Sequence, residues 1–146
     1  RPTIGFYSRK QPYFEFSNFS DHPVRYNGKD YATSEHLFQS LKFLDYADSE
    51  HIRLQPSPGA AMREAHKLSH KVRRGWFQEN INLRTEVLML KFTQHQDLKD
   101  ILLSTGAAIL VEDSPTDSFW GIGANGRGRN ELGKALERLR VVLKHD

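Results

Sequence analysis

Across Trp76–His95 the apolar residues Ile81, Leu83, Val87, Leu88, Leu90 and Phe92 recur near helical spacing, which predicts one helix over the whole stretch. No other segment constrains the fold as strongly. The rest of the chain divides at clear breakers. Ser57 with Pro58 predicts a helix start running to about Leu68, because proline fits the first helical position, where an N–H has no partner to lose. Thr33 or Ser34 caps a helix to about Leu44. Asp97–Ser104 reads as a short helix stopped by Gly106, and Asn130–His145 as the last helix. Strands are short: Thr3–Ser8, Ala108–Glu112, and a hairpin of Val24–Tyr26 with Lys29–Tyr31. Asn27-Gly28 turns that hairpin, since both residues accept positive φ. Gln11–Ser20 has strand-like aromatics interrupted by Pro12 and Ser17-Asn18, and reads as an ordered loop. The class is α+β, predominantly helical, with 1–146 expected as a single compact domain.

Composition excludes several chemistries. The chain has no cysteine, so disulfides, cysteine-ligated zinc, iron–sulfur clusters and thiol nucleophiles are ruled out. Mean hydropathy is −0.64. No apolar run approaches the ~20 residues of a membrane helix, and Arg1–Tyr7 lacks the apolar core of a signal peptide. The default expectation is a cytosolic or nuclear monomer that does not engage membranes. The first residue is Arg rather than Met, which leaves open a segment of a longer protein. A net charge of +3 permits an anionic partner such as a nucleotide or nucleic acid without demanding one.

Two segments carry candidate chemistry. In Thr33–Asp45, Leu37, Leu41 and Leu44 face a core at helical spacing, while Glu35, Gln39 and Lys42 share the opposite side. Glu35 and Lys42 start about 10 Å apart along such an axis and could converge over a ligand. A plain solvated face is the favoured reading by roughly two to one, since amphipathic helices normally look this way. The second segment is Asp113–Gly128, a glycine-rich loop feeding a helix start. Gly121-Ile-Gly123-Ala-Asn-Gly126 matches a dinucleotide fingerprint literally, but only 20 residues follow it, too few for the βαβ unit required. Gly128-x₄-Gly133-Lys134 resembles a phosphate loop but has Ala135 where a magnesium-binding hydroxyl is needed. What survives is a loop whose free N–H groups suit phosphate and whose Trp120 can stack on a base or sugar. His66 and His70 could share a metal, but no third ligand accompanies them, so surface histidines are favoured and no metal is expected. Arg73, Arg74, Arg129, Arg138, Arg140 and Lys144 could face phosphates, with a solvated face favoured for most of the last four.

An ordered set of segments resembles a known family. It comprises Phe16–Phe19, Tyr31–Phe43, Trp76, Leu90–Phe92, Phe119–Gly123 and Asn130–Lys134. Together they are similar to the NADAR family, the YbiA-like N-glycosidases associated with NAD and ADP-ribose. The chain departs from the pattern at Gly75, where many members carry an acidic residue before the tryptophan. The resemblance implies a mostly helical α+β fold and cleavage of an N-glycosidic bond at ribose C1, without a cofactor. It implies two substrate branches: ADP-ribose on guanine in nucleic acid or guanosine, with ADP-ribose as product, and phosphorylated aminopyrimidine intermediates of riboflavin synthesis. A non-catalytic binder of ADP-ribose or nucleic acid is a third reading.

By that resemblance Glu35 and Asp117 supply acid/base and electrostatic roles at C1, where positive charge develops as the base leaves. Lys42 offers a second route, attack on C1 of the opened sugar to give a Schiff base, and Phe38 and Phe43 could wall it. Trp120 completes the catalytic set. Asn18, Gln39 and Asn130 are expected on ribose hydroxyls, Phe19 and Trp76 beside the base, and Gly121, Ile122 and Gly123 on phosphate.

Overall fold

The computed structural model describes residues 1–146. Its elements run β1 (Thr3–Phe6), β2 (Val24–Tyr26), β3 (Lys29–Tyr31), α1 (Ser34–Ser40), α2 (Tyr46–Arg53), α3 (Pro58–Lys67), α4 (Trp76–Gln94), α5 (Gln96–Ser104), β4 (Ile109–Glu112) and α6 (Glu131–Lys144). Short 3-10 turns occupy Phe14–Phe16 and Ser69–Lys71. The chain divides into two units, one of residues 18–94 and one of residues 1–17 with 95–146. No helix is long and apolar enough to cross a membrane.

In the 18–94 unit, β2 and β3 pair antiparallel with Val24 opposite Tyr31, and Asn27 and Gly28 adopt φ of 50° and 76°. Those left-handed angles match the twist of a two-residue hairpin, as the dipeptide requires. Helix α1 starts where Thr33 caps it: the Thr33 hydroxyl accepts from His36 N. It also pairs with His36 Nδ1 at 2.8 Å, while His36 Nε2 reaches Gln55 O at 2.9 Å. The helix ends at Ser40, short of Leu44, and Leu44 is exposed rather than core-facing. The chain needs that early stop because Phe43 turns inward to pack with Ile52, Ala61 and Ala65 between α2 and α3. Helix α2 lies outside the sequence expectation; Asp45 caps it by accepting from Asp48 N. Helix α3 starts as expected, with Ser57 accepting from Ala60 N and proline at the first position. Helix α4 enters through Gly75, whose φ of 79° is left-handed and whose carbonyl accepts from Gln78 N and Glu79 N.

In the other unit, β1 and β4 pair parallel from Thr3 with Ile109 to Phe6 with Glu112. Two strands alone are marginal. Helix α6 covers them with a stripe of Leu132, Ala135, Leu136, Leu139 and Leu143 and also saturates the free edge of β4. Asn130 Oδ1 accepts from Glu112 N at 2.9 Å, Asn130 Nδ2 donates to Leu110 O at 2.9 Å, and Glu137 Oε2 accepts from Leu110 N at 3.2 Å. Arg140 is buried, not solvated: its guanidinium donates to Thr105 Oγ1 and Ala108 O, both at 2.8 Å, tying α5's end to β4's start.

Candidate active site

Helix α1 does not present a solvated polar face. Glu35 and Gln39 are only 3% and 5% exposed. Glu35 Oε1 accepts from Arg84 Nη1 at 3.0 Å, and Glu35 Oε2 accepts from Gln39 Nε2 at 2.6 Å, so both carboxylate oxygens are held. Arg84 comes from the middle of α4, and its guanidinium lies 3.5 Å from the centre of the Phe38 ring. The Phe38 ring also meets Trp76, tilted at 54° with centroids 5.0 Å apart. A guanidinium against an aromatic face is favourable when both are dry, and it fixes the fork that grips Glu35.

Lys42 sits beyond the end of α1, in a turn where its N–H donates to Gln39 O at 3.2 Å and its carbonyl accepts from Arg73 N at 2.8 Å. The turn keeps it on the side of Glu35 although the helix has ended. Its ammonium lies 5.8 Å from the Trp76 ring centre. Burial pushes the Lys42 amine below the ordinary lysine range, the Arg84 charge pushes the same way, and Glu35 opposes them.

Helix α4 supplies Trp76, Asn80 and Arg84 at four-residue steps on one buried face. Asn80 Oδ1 and Gln39 Oε1 are both buried without a hydrogen-bond partner. Asn18 is buried, and its side-chain oxygen accepts from Ser34 Oγ at 2.7 Å while its carbonyl accepts from Glu35 N at 3.1 Å. That oxygen helps fix the start of α1. Phe19 is half-buried beside it in sequence.

The residues expected from the tryptophan loop belong to the other unit. Asp117 Oδ1 accepts from Phe119 N at 2.9 Å and Trp120 N at 2.8 Å, a local turn that sets the half-buried Trp120. Phe119 and Trp120 pack edge to face at 4.8 Å. Gly121 is required by close approach, because a Cβ there would meet the Glu112 carboxylate and, at 2.7 Å, the Glu112 carbonyl. The expected phosphate cradle is largely closed. Ile122, Gly128, Arg129 and Asn130 donate their N–H groups to Glu112, Ile122, Ser118 and Gly121 carbonyls. The first N–H groups of α6, on Glu131 and Leu132, bond Phe119 O and Trp120 O. The helix start is therefore capped by its own loop, and of the three residues expected on phosphate Ile122 has its N–H committed to Glu112 O. Asn130, with both amide atoms bonded to β4, positions the loop.

The metal reading of the histidines fares no better. Helix α3 ends at Lys67, so His66 and His70 lie on different elements, and both are exposed.

A family model for the NADAR domain matches residues 5–144. The chain belongs to the NADAR domain family. This NADAR domain is 42% identical over 140 residues to the N-glycosidase YbiA of Escherichia coli (strain K12), covering 96% of this chain and 88% of that one. It is 39% identical to an N-glycosidase of Nostoc punctiforme, covering 98% and 94%. The solved NMR structure of E. coli YbiA superposes with a TM-score of 0.91 at 40% identity, covering 99% of this chain and 86% of that one. A more distant match, 34% identical, is a riboflavin biosynthesis protein of Zea mays, of which the NADAR domain covers 25%.

Sequence reasoning misses Arg84 and Asn80 in this NADAR site. Their only signal was the four-residue step from Trp76, hidden because polar residues on a helix usually face water.

Proposed function

We propose that the chain is an N-glycosidase that hydrolyses the C1–N bond of a ribose, and that residues 1–146 act as one NADAR domain. The observation that supports this best is Glu35, a buried carboxylate with both oxygens held by Arg84 and Gln39, beside the depressed amine of Lys42 and the Trp76 ring. The N-glycosidase names of the relatives agree with it.

The preferred substrate is ADP-ribose attached to guanine in DNA or guanosine. A net charge of +3 suits an anionic substrate of that kind. As the C1–N bond breaks, its electron pair leaves with the base, which takes up a proton; water adds to C1 and releases ADP-ribose. Glu35, ion-paired and fixed, stabilises the positive charge at C1. Asp117 is assigned the role of a second carboxylate, and Trp76 that of stacking on the planar base. In the alternative path the sugar ring opens with the base still on C1, the Lys42 amine adds to C1, the base leaves with the C–N electron pair and takes up a proton, and water hydrolyses the Schiff base left on Lys42 to free the sugar and the amine. Burial favours the neutral amine which that path needs.

A product assay by mass spectrometry on ADP-ribosylated guanosine tests the reading: release of guanosine and ADP-ribose supports it. Borohydride with substrate separates the paths, since a reduced adduct on Lys42 requires the Schiff base and an active enzyme that never traps excludes it. Turnover undiminished by EDTA is expected, because protein groups suffice. The second reading, hydrolysis of phosphorylated aminopyrimidines, draws on the relative named as a riboflavin biosynthesis protein. Base release from such a phosphate but not from ADP-ribosylated guanosine would favour it. Tight binding of ADP-ribose with no base released from either would leave a binding module.

A further inference from the structure

Two buried acceptors in the 18–94 unit have nothing to accept. Gln39 Oε1 and Asn80 Oδ1 are shielded from solvent and lack a hydrogen-bond partner, on residues only 5% and 7% exposed. A buried carbonyl left unpaired retains its full desolvation penalty, so the two point to donors that arrive with a ligand.

Contacts between α1 and α4 place them together. Arg84 grips Glu35 at one end, and Lys42 lies over Trp76 at the other. Between these ends, Phe38 meets both Arg84 and Trp76, which lie one turn to either side of Asn80. Gln39, on α1, lies between Glu35 and the Lys42 turn that follows the helix, as Asn80 lies between Arg84 and Trp76 on α4. The antiparallel register therefore sets Gln39 opposite Asn80.

The chemistry around the pair is selective. Gln39 Nε2 is committed to Glu35, which leaves its oxygen only as an acceptor. Both Glu35 oxygens are already held, so the carboxylate does not compete for incoming donors at those positions. What fits is a group with two adjacent hydroxyl donors, one helical turn, or about 6 Å, from the residue that faces C1.

We propose that Gln39 Oε1 and Asn80 Oδ1 form a paired acceptor for the vicinal hydroxyls of a ribose, making Asn80 a substrate-binding residue that selects ribose over 2-deoxyribose. The proposal rests on the N-glycosidase reading above and adds a residue that sequence did not point to.

Calorimetric titration of ribose 5-phosphate and 2-deoxyribose 5-phosphate tests it, using wild type, Asn80→Leu and Asn80→Asp. Wild type is expected to prefer ribose 5-phosphate by roughly 3- to 10-fold, the range of one hydrogen bond. Asn80→Leu removes the preference while holding or raising Tm, because an unpaired buried acceptor has gone. Asn80→Asp keeps an oxygen and keeps the preference. Equal binding of the two sugars by wild type, binding of neither, or a preference that survives Asn80→Leu overturns the proposal. Should Asn80→Leu not fold, Asn80→Ala must abolish the preference, and a surviving preference overturns it equally. Cleavage is assayed separately: an intact preference without N-glycoside cleavage sinks the enzymatic reading and leaves the sugar site standing. Cleavage without preference does the reverse.

Discussion

Arg84 Nη1 lies 3.0 Å from Glu35 Oε1, with both side chains only 4% exposed. A pair this dry is unforgiving, because removing one partner strands the other charge away from water. Arg84→Met is expected to destabilise the fold by about 3–5 kcal/mol, whereas Arg84→Met with Glu35→Met recovers much of the loss. Urea denaturation through the double-mutant cycle measures it. Additive losses in the double variant would show that the pair is not coupled.

Glu35→Gln and Asp117→Asn are each expected to lower turnover of an N-glycoside by about 10²-fold or more. The two differ in stability. Asparagine at 117 keeps the oxygen that accepts from Phe119 N and Trp120 N, so the loop holds and the loss is about 1 kcal/mol or less. Glutamine at 35 leaves Arg84 without its counter-charge and lowers Tm clearly. Near-wild-type rates in both variants would remove these residues from the chemistry.

How far sequence reached depends on whether the deciding force was local. The hairpin at Asn27-Gly28 and the start of α3 at Ser57-Pro58 follow from backbone geometry carried by those residues alone. Helix α2 has one buried apolar residue, Ile52, and so no periodic stripe to read. On α4 the inward face includes Asn80, Arg84 and Lys91, while Ile81, Leu83 and Leu90 are only half-buried. Apolar spacing located that helix without showing which side was dry. A solvated polar face and a buried polar site share one pattern in α1, and only the partner residues on α4 tell them apart.

Lys42 gives a dependence on pH. Burial lowers its folded-state pKa below the unfolded 10.5, so at neutral pH the folded chain carries a charge it would rather lose. That penalty is full below the folded pKa and fades as pH rises through it towards the unfolded value. Lys42→Met is therefore expected to raise Tm at pH 7, with the advantage shrinking as pH climbs towards 10.5. Thermal melts from pH 7 to about 10.5 check this. A gap that widens with pH contradicts it.

Gly133 packs its α-carbon against strand β4, and a Cβ there would run into Leu110 O and the Asn130 amide. Neither neighbour can yield, since both sit in the bonds that saturate the β4 edge. Gly133→Ala is expected to lower stability by about 1–3 kcal/mol despite alanine's better helix propensity. Chemical denaturation measures it, and a neutral or stabilising result would mean that α6 sits further from the sheet.

Because the tryptophan loop spends its amides on its own carbonyls and on β4, the backbone of residues 128–132 is locked to the framework at both ends. The exposed crest, Ala124–Arg127, lies outside those ties and can take extra residues without breaking them. Insertions there leave untouched the Asp117 turn that sets Trp120.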